Sequence, residues 1–473
     1  MLTIDDLPDD DLLAIFDFCV VRYQDLNFRV FRESDTKRKI ELWQSLIHVC
    51  RRWRGLVFGS PRRLNLQLVC ILGTSSARSS LDVWPALPLL IEGRISEASV
   101  DNVVAELEQS DRICQINLDF NTKLQIEKLW TAMQVPFPEL AGLYLTYEDL
   151  PNMPVLPDSF LGGSAPRLLF LRMDTIPFPG LPKLLLSASH LVELCLLNIP
   201  HSGYISPEAM VTCLSMLTRL EELDLEFNSP QSSPDQESRR PSPPTRHVLP
   251  ALTRFAFKGV NEYLEELVAR IDTPRLYWLS TTYFNDIDFD TPEVMQFISR
   301  TLTFQAPIEA RVFFGSLAAW VRLQSHAFYL EEVKVKILCR APDWQLSSLA
   351  QICTSSLSLF STAENLYIYD PSDSQLDWKD GVENTEWLEL LLPFTAVKNL
   401  YLSKQFAPRI APALQELTGG TTTEVLPTLH NIFLEGFQPS EPVHEGFGQF
   451  ISARQLINRP VALSVWERSE GTI

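Results

Sequence analysis

The sequence has no C-x-x-C pair, no apolar run approaching a membrane span, no basic leader and no excess of positive charge, and each absence removes a class of function. The eight cysteines, Cys19, Cys50, Cys70, Cys114, Cys195, Cys213, Cys339 and Cys353, are scattered. That spread reads as reduced, mostly buried thiols rather than a disulfide framework. His48 and Cys50 are two apart, which on a helix points them away from each other, so a zinc site is not expected. Asp5, Asp6, Asp9, Asp10 and Asp11 leave no positive n-region for a secretory signal. No run nears the roughly 18 residues a spanning helix needs. Lys plus Arg number 40 against 59 Asp plus Glu, a formal charge of −19. So acidic a chain is a poor general binder of nucleic acid or anionic membrane. The expectation is an intracellular protein, cytoplasmic or nuclear, with neither nucleic acid nor membrane as partner.

The common catalytic signatures are missing too. Gly419-Gly420 runs into Thr421, Thr422 and Thr423 with no lysine to reach a phosphate. Gly162-Gly163-Ser164 lacks the rest of a nucleophile elbow. Asp286, Asp288 and Asp290 start like a calcium loop, but Thr291 and Phe297 stand where glycine and glutamate are required. The reading is a non-enzyme with no cofactor, no metal and no catalytic residues.

What is present begins at the N-terminus. Pro8 suits a helix start, and Asp9, Asp10 and Asp11 favour the positive end of its dipole. Leu12, Ile15, Phe16 and Cys19 then mark one face. Trp43, Leu46, Cys50 and Trp53 recur at threes and fours and predict a second helix, ended by Gly55, Gly59, Ser60 and Pro61. Together, LPDDDLLAIF and HVCRRWRGLVFGSPRRLNL resemble the fungal F-box-like domain, here with a polar insertion at 23–39.

Past Arg62 the pattern changes. RLNLQLV alternates as a strand, with Leu64, Leu66 and Leu68 on one face, and WPALPLLIEG reads as another. Then a unit recurs: apolar, two variable, apolar, one variable, apolar. It runs through Ile113-Ile116-Leu118, Leu140-Leu143-Leu145, Leu168-Leu171-Met173, Leu191-Leu194-Leu196 and Leu220-Leu223-Leu225. It weakens at Leu252-Phe255-Phe257 and Leu276-Leu279. It returns as Leu330-Val333-Val335, Ala363-Leu366-Ile368, Val397-Leu400-Leu402 and Leu429-Ile432-Leu434. The interval from Leu276 to Leu330 spans about two periods, which predicts a unit near residue 303 without its signature. Amphipathic helices fall between: Ile126, Leu129, Trp130 and Met133; Met210, Cys213, Leu214 and Leu217 after Ser206-Pro207; Leu264, Leu267, Val268 and Ile271; Ile410, Ala413, Leu414 and Leu417. Strand plus helix at a period of roughly 20 to 30 residues is the leucine-rich-repeat signature. Neighbouring units must stack to bury their apolar edges.

The fold class expected is therefore α/β. An N-terminal helical F-box-like domain, 1–62, is followed by an irregular leucine-rich-repeat solenoid, 63–473, with parallel strands on the concave side and helices on the convex side. SPQSSPDQESRRPSPPTRH, 229–247, is Ser- and Pro-rich and reads as a disordered insertion.

An F-box-like head before irregular leucine-rich repeats resembles a large fungal family, and the stretch EWLELLLPFTAVKNLYLSKQFAPRIAPALQEL is similar to its members. The resemblance implies a non-catalytic substrate-receptor subunit of a Skp-cullin-F-box ubiquitin ligase. The head would dock a Skp-type adaptor and, through it, a cullin; the repeats would hold a protein substrate of unknown identity. The alternative is a repeat scaffold acting outside any ligase. Leu7, Pro8, Leu12, Ile15, Phe16, Leu46, Val49 and Trp53 are the adaptor candidates, some of which must form the head's own core, Trp53 first. Side chains alternate along a strand. The row between the second and third repeat positions therefore gives Asn117, Tyr144, Arg172, Cys195 and Asp224 early, and Tyr367, Tyr401 and Phe433 late. Beside the late aromatics run Asn365, Asn399 and Asn431. These six form the substrate candidate, because aromatics are favoured in binding hot spots. Against this, the stacked rings would only brace their strands, or residues 461–466 would cover them.

Overall fold

The computed structural model describes residues 4–19, 45–60, 63–64, 68–71, 87–96, 99–120, 126–148, 155–230, 245–284, 291–325, 331–355, 357–370, 378, 383–417, 425–436 and 443–467. The expected insertion at 23–39, and residues 231–244 of the expected disordered segment, lie outside these. The chain forms two compact units, Met1–Leu191 and Val192–Ile473.

The first unit opens with a 3-10 turn, Ile4–Asp6, and helix α1, Asp9–Cys19. Leu12, Leu13 and Phe16 are buried, and the Phe16 ring packs on Trp53 at 4.7 Å between centroids. The second helix differs from expectation. It is not continuous from Trp43, which lies outside the described residues; a turn at His48 and Val49 interrupts it. Cys50 is extended (φ −156°, ψ 170°), and its Sγ accepts from the Trp53 amide, capping α2, Arg51–Gly59. Arg51 and Arg52 thus stand at the positive end of a helix, where the dipole opposes them. Asp9 offsets this: Arg52 Nη2 donates to Asp9 Oδ1 at 2.7 Å and to the Leu7 carbonyl at 2.6 Å. Arg63 donates likewise to Asp10 at 2.7 Å. The acidic first turn therefore also ties α1 to the chain that returns past it.

Five parallel strands follow in chain order: β1 (Leu68–Ile71), β2 (Leu89–Ile95), β3 (Ile113–Phe120), β4 (Gly142–Tyr147) and β5 (Phe170–Asp174). The first strand is described from Leu68. Leu64 is buried in a turn, and Leu66 lies outside the described residues. Helices α3 (Val100–Leu107) and α4 (Ile126–Ala132) connect β2 to β3 and β3 to β4, and α5 (Leu181–Leu185) follows β5. Ile116, Leu118, Leu143, Leu145, Leu171 and Met173 are buried with Val103, Leu107 and Leu129. Asn117, Tyr144 and Arg172 share one cross-strand row, as the repeat pattern predicts.

The second unit repeats the scheme with β6 (Glu193–Ile199), α6 (Pro207–Leu214), β7 (Glu222–Phe227), a short β8 (His247–Val248), β9 (Arg254–Gly259), α7 (Asn261–Val268), a short β10 (Ile271–Asp272), β11 (Trp278–Phe284) and α8 (Pro292–Arg300). Ser206 caps α6 by accepting from the Ala209 amide. Ile271, expected on the α7 stripe, instead pairs in β10 with His247, so the excursion expected to run to 247 ends in a strand. Thr291 makes no side-chain cap on α8; Glu265 of α7 does, accepting from the Glu293 and Val294 amides at 2.8 Å each.

The unit without a signature is a hairpin of two strands in place of one, and with the recognised β14 unit it makes a three-strand insert. Strands β12 (Glu309–Phe314) and β13 (Ala319–Gln324) form an antiparallel hairpin, and β14 (Glu332–Leu338) runs antiparallel to β13. The sheet order is β11-β14-β13-β12-β15, so the chain skips two places, which β13 and β14 then fill on the way back. Strand β14 is parallel to β11, and β12 is parallel to β15 (Asn365–Tyr369), so the repeat direction is restored. Helix α9 (Pro342–Ser355) and the short α10 (Leu357–Phe360) make the return. Buried Gln345 of α9 ties the insert, its Nε2 donating to the Gly315 carbonyl in the hairpin turn at 2.7 Å and to the Cys339 carbonyl at 2.6 Å. Regular progression resumes with α11 (Asn384–Leu391), β16 (Asn399–Leu402), α12 (Ala407–Glu416), β17 (Asn431–Glu435), α13 (Val443–Leu456) and β18 (Ala462–Trp466). This is an α/β fold with a mostly parallel sheet built from strand–helix repeats, consistent with a leucine-rich-repeat type of solenoid.

Candidate ligand surface on the repeat strands

In β7, β9, β11, β16 and β17, alternate side chains are buried and the others lie on the open face. The register aligns the open set into rows across the strands. One row reads Glu309, Asn365, Asn399, Asn431; the next reads Arg311, Tyr367, Tyr401, Phe433. The six expected substrate residues therefore do come together.

Their chemistry differs from a free amide-and-aromatic patch. Asn399 Nδ2 donates to Asn365 Oδ1, and Asn431 Nδ2 to Asn399 Oδ1, both at 2.8 Å. The amides form a ladder that satisfies its own members. The rings stack as a column, Tyr367 on Tyr401 at 4.3 Å and Tyr401 on Phe433 at 4.5 Å, each pair within 8° of parallel. That spacing is close to the strand separation, so rings borne by a sheet face stand on edge. The indole of Trp466 lies against Tyr367 and Tyr401, at 6.0 and 5.6 Å and steeply inclined to both. Part of the column is thus covered by β18. Burial, with Glu309 and Tyr401 adding to it, raises the Tyr367 hydroxyl above its ordinary value.

The three-strand insert supplies a second group that the repeat pattern did not reveal. Arg322 faces Arg311 on one side and Lys334 on the other; Trp320 faces Phe313 and Lys336. On β11, Ser280 and Thr282 flank Lys334 and Lys336. The Trp320 and Phe313 rings stack at 4.8 Å, and Lys334 Nζ lies 5.0 Å from the Trp320 ring. Arg311 pairs with Glu309, and Arg322 with Glu332 at 2.7 Å. Burial lowers the Lys334 amine from its usual value, Glu332 opposes that, and Lys336 and Arg322 reinforce it. With Arg254 and Lys258 of β9, the open positions of β9, β11, β14, β13 and β12 carry six cations against two carboxylates. The neighbouring β6 and β7 carry Glu193, Glu222, Asp224 and Glu226 in the same positions. Two sequence signals mark the insert: alternation in EARV, VRLQ and EVKVKI, and Gly315-Ser316 between the first two.

The N-terminal candidates separate into two groups. Leu12 and Phe16 are fully buried in the head, and Trp53 is half-buried against Phe16, so these three are core and support a docking face rather than form it. Pro8, Ile15 (41%) and Val49 (59%) are exposed, and Leu7 and Leu46 are half-buried. Phe18, 92% exposed, adds an apolar side chain to that set. It falls three residues after Ile15, the spacing of one helix face.

Among the described residues no group of three His, Cys, Asp or Glu side chains could hold a metal, and no helix is long and apolar enough to cross a membrane. Burial pushes the Cys70 and Cys114 thiols up to about 12 and Cys213 to about 11, far from thiolate reactivity. Asp286, Asp288, Asp290 and residues 419–423 lie outside the described residues.

No family model and no curated protein matches this chain. Among solved structures it is similar to the leucine-rich repeat-containing protein LegL7 from Legionella pneumophila, over 81% of this chain and 97% of that one, at 10% identity and a TM-score of 0.26.

Proposed function

We propose that this chain is a non-catalytic binding protein whose repeat strands hold a protein partner on their open face. What supports the reading is the alignment of that face: half-exposed Tyr367, Tyr401 and Phe433 share one row with Arg311, Arg322 and Lys334, and half-exposed Phe313 and Trp320 pair in the row beside it, with the opposite face buried under helices. Aromatics and arginine are the side chains that dominate interface energetics.

The finer reading makes it a substrate-receptor subunit of a Skp-cullin-F-box ligase. The motif order of the head supports it, as do the exposed Pro8, Ile15, Phe18 and Val49 on a head whose core is filled by Leu12 and Phe16. Purification of the tagged full-length chain tests it: a Skp-type adaptor and a cullin should co-purify in stoichiometric amount. A partner held without either protein would favour the scaffold reading instead.

A further inference from the structure

We infer that the open face along β14 is a docking strip for an extended, carboxylate-rich segment of a protein partner. The inference rests on the reading of the repeat face as the partner-holding surface, and it names the chemistry of what is held.

Lys334 and Lys336 are two residues apart on one strand, so their side chains emerge on the same face about 6.6 Å apart. An extended peptide repeats its own side chains on one face at the same interval, so acidic residues at alternate positions would meet the two lysines in turn. Neither lysine has an ion pair among the described residues. Ser280 and Thr282 stand beside them on β11 and can donate to a carboxylate; Arg322 and Trp320 stand beside them on β13. Burial disfavours the charge on half-buried Lys334, and so do Lys336 and Arg322; Glu332 alone acts the other way, and a bound carboxylate would act with it. The whole chain carries −19, yet this strip carries the opposite sign, with acidic β7 beyond β9 as a border. Such charge segregation selects for a complementary ligand and against general polyanions. A nucleic acid would have to meet the acidic remainder of the chain as well, so an acidic peptide is favoured.

Fluorescence anisotropy with the full-length protein tests this. The probe is a fluorescein-labelled octapeptide of alternating glutamate and serine; the control carries lysine in place of glutamate. The glutamate peptide should bind, the lysine peptide should not, and raising salt from about 0.05 M to about 0.5 M should weaken binding markedly. K334E/K336E should weaken it on the order of tenfold or more, and the gentler K334Q/K336Q by less, at unchanged melting temperature. Equal binding of the two peptides, or no binding of either at about 1 mM, overturns the inference. So does an unchanged affinity in a folded K334E/K336E or K334Q/K336Q variant. Displacement of the peptide by an equal concentration of oligothymidylate assigns the strip to nucleic acid and overturns it as well. The peptide result stands apart from the adaptor result, because no adaptor or cullin takes part in it.

Discussion

The indole of Trp466 stands 5.6 Å from the ring of Tyr401 and is inclined to it by 69°, an edge-to-face contact between the last described strand and the middle of the aromatic column. The column is therefore shared between holding the sheet together and facing a partner. Changing Tyr367, Tyr401 and Phe433 together to Ser should abolish capture of the protein partner while adaptor co-purification persists. Stacked aromatic pairs contribute roughly 0.5–1.5 kcal/mol each beyond their burial, so the melting temperature should fall by a few degrees without loss of the transition. Unchanged capture would place the partner elsewhere.

Asn399 is the middle rung of the amide ladder and makes both of its bonds. Asn399→Ala leaves Asn365 Oδ1 and Asn431 Nδ2 without these contacts, and each net hydrogen bond is worth about 0.5–1.5 kcal/mol. The expected loss exceeds that of Asn431→Ala, which breaks one bond. Chemical denaturation of the two variants decides it, and equal losses would show that the ladder contributes nothing.

In the head, Ile15→Asp combined with Val49→Asp should prevent adaptor co-purification and leave the helical signal intact, because both side chains are exposed. Phe16→Ala should instead destabilise the head by about 3–5 kcal/mol, since the ring is fully buried against Trp53. Limited proteolysis of the N-terminal region separates the two effects. Retained adaptor binding in the double aspartate variant would remove α1 from the docking face.

Gln345→Leu deprives the Gly315 and Cys339 carbonyls of their buried donor. Each unmet group costs about 1–3 kcal/mol, and the loss should concentrate in the three-strand insert. Hydrogen exchange should quicken in β12 and β13 before it does in β16 and β17. Uniform exchange across the unit would show that Gln345 is not the tie.

Asp119 sits half-buried on β3. Burial raises its carboxyl from the usual range and Glu148 adds to that, while the Thr146 hydroxyl and Arg94 act in the opposite direction. A raised folded-state value means that the group's stabilising contribution is present below its unfolded value, about 3.9, and is lost as pH rises through the folded one. The ionised form thus weakens the fold at neutral pH. Asp119→Asn should raise the melting temperature at about pH 7 and leave it nearly unchanged at about pH 3. A lower melting temperature at neutral pH would show that the carboxylate's partners outweigh its burial.

Much of this was legible in the residues. The apolar spacing Leu140-Leu143-Leu145 and its kin marked strands and their buried side, because alternation and burial follow from local backbone geometry alone. Ser206 announced its cap for the same reason. The second helix of the head departs from its apolar pattern. Cysteine at position 50 looks like one more apolar position, and only its extended backbone shows it as the cap of a new helix.

The sequence by itself determined the period, the type of each repeating element and the rows in which Tyr367, Tyr401 and Phe433 stand. Those depend on intervals of two to four residues and on burial of one face per element. Only the tertiary structure decided that β14 sits beside β11, that β13 runs against its neighbours and that Arg311, Arg322 and Lys334 therefore share a row. It also decided that Trp466 turns back onto Tyr401. Strand order and cross-strand neighbours are set by long-range pairing of backbone groups, which are the same in every residue. No local pattern distinguishes one available edge from another; the edge used is the one that leaves the fewest buried groups unpaired once the whole sheet is assembled.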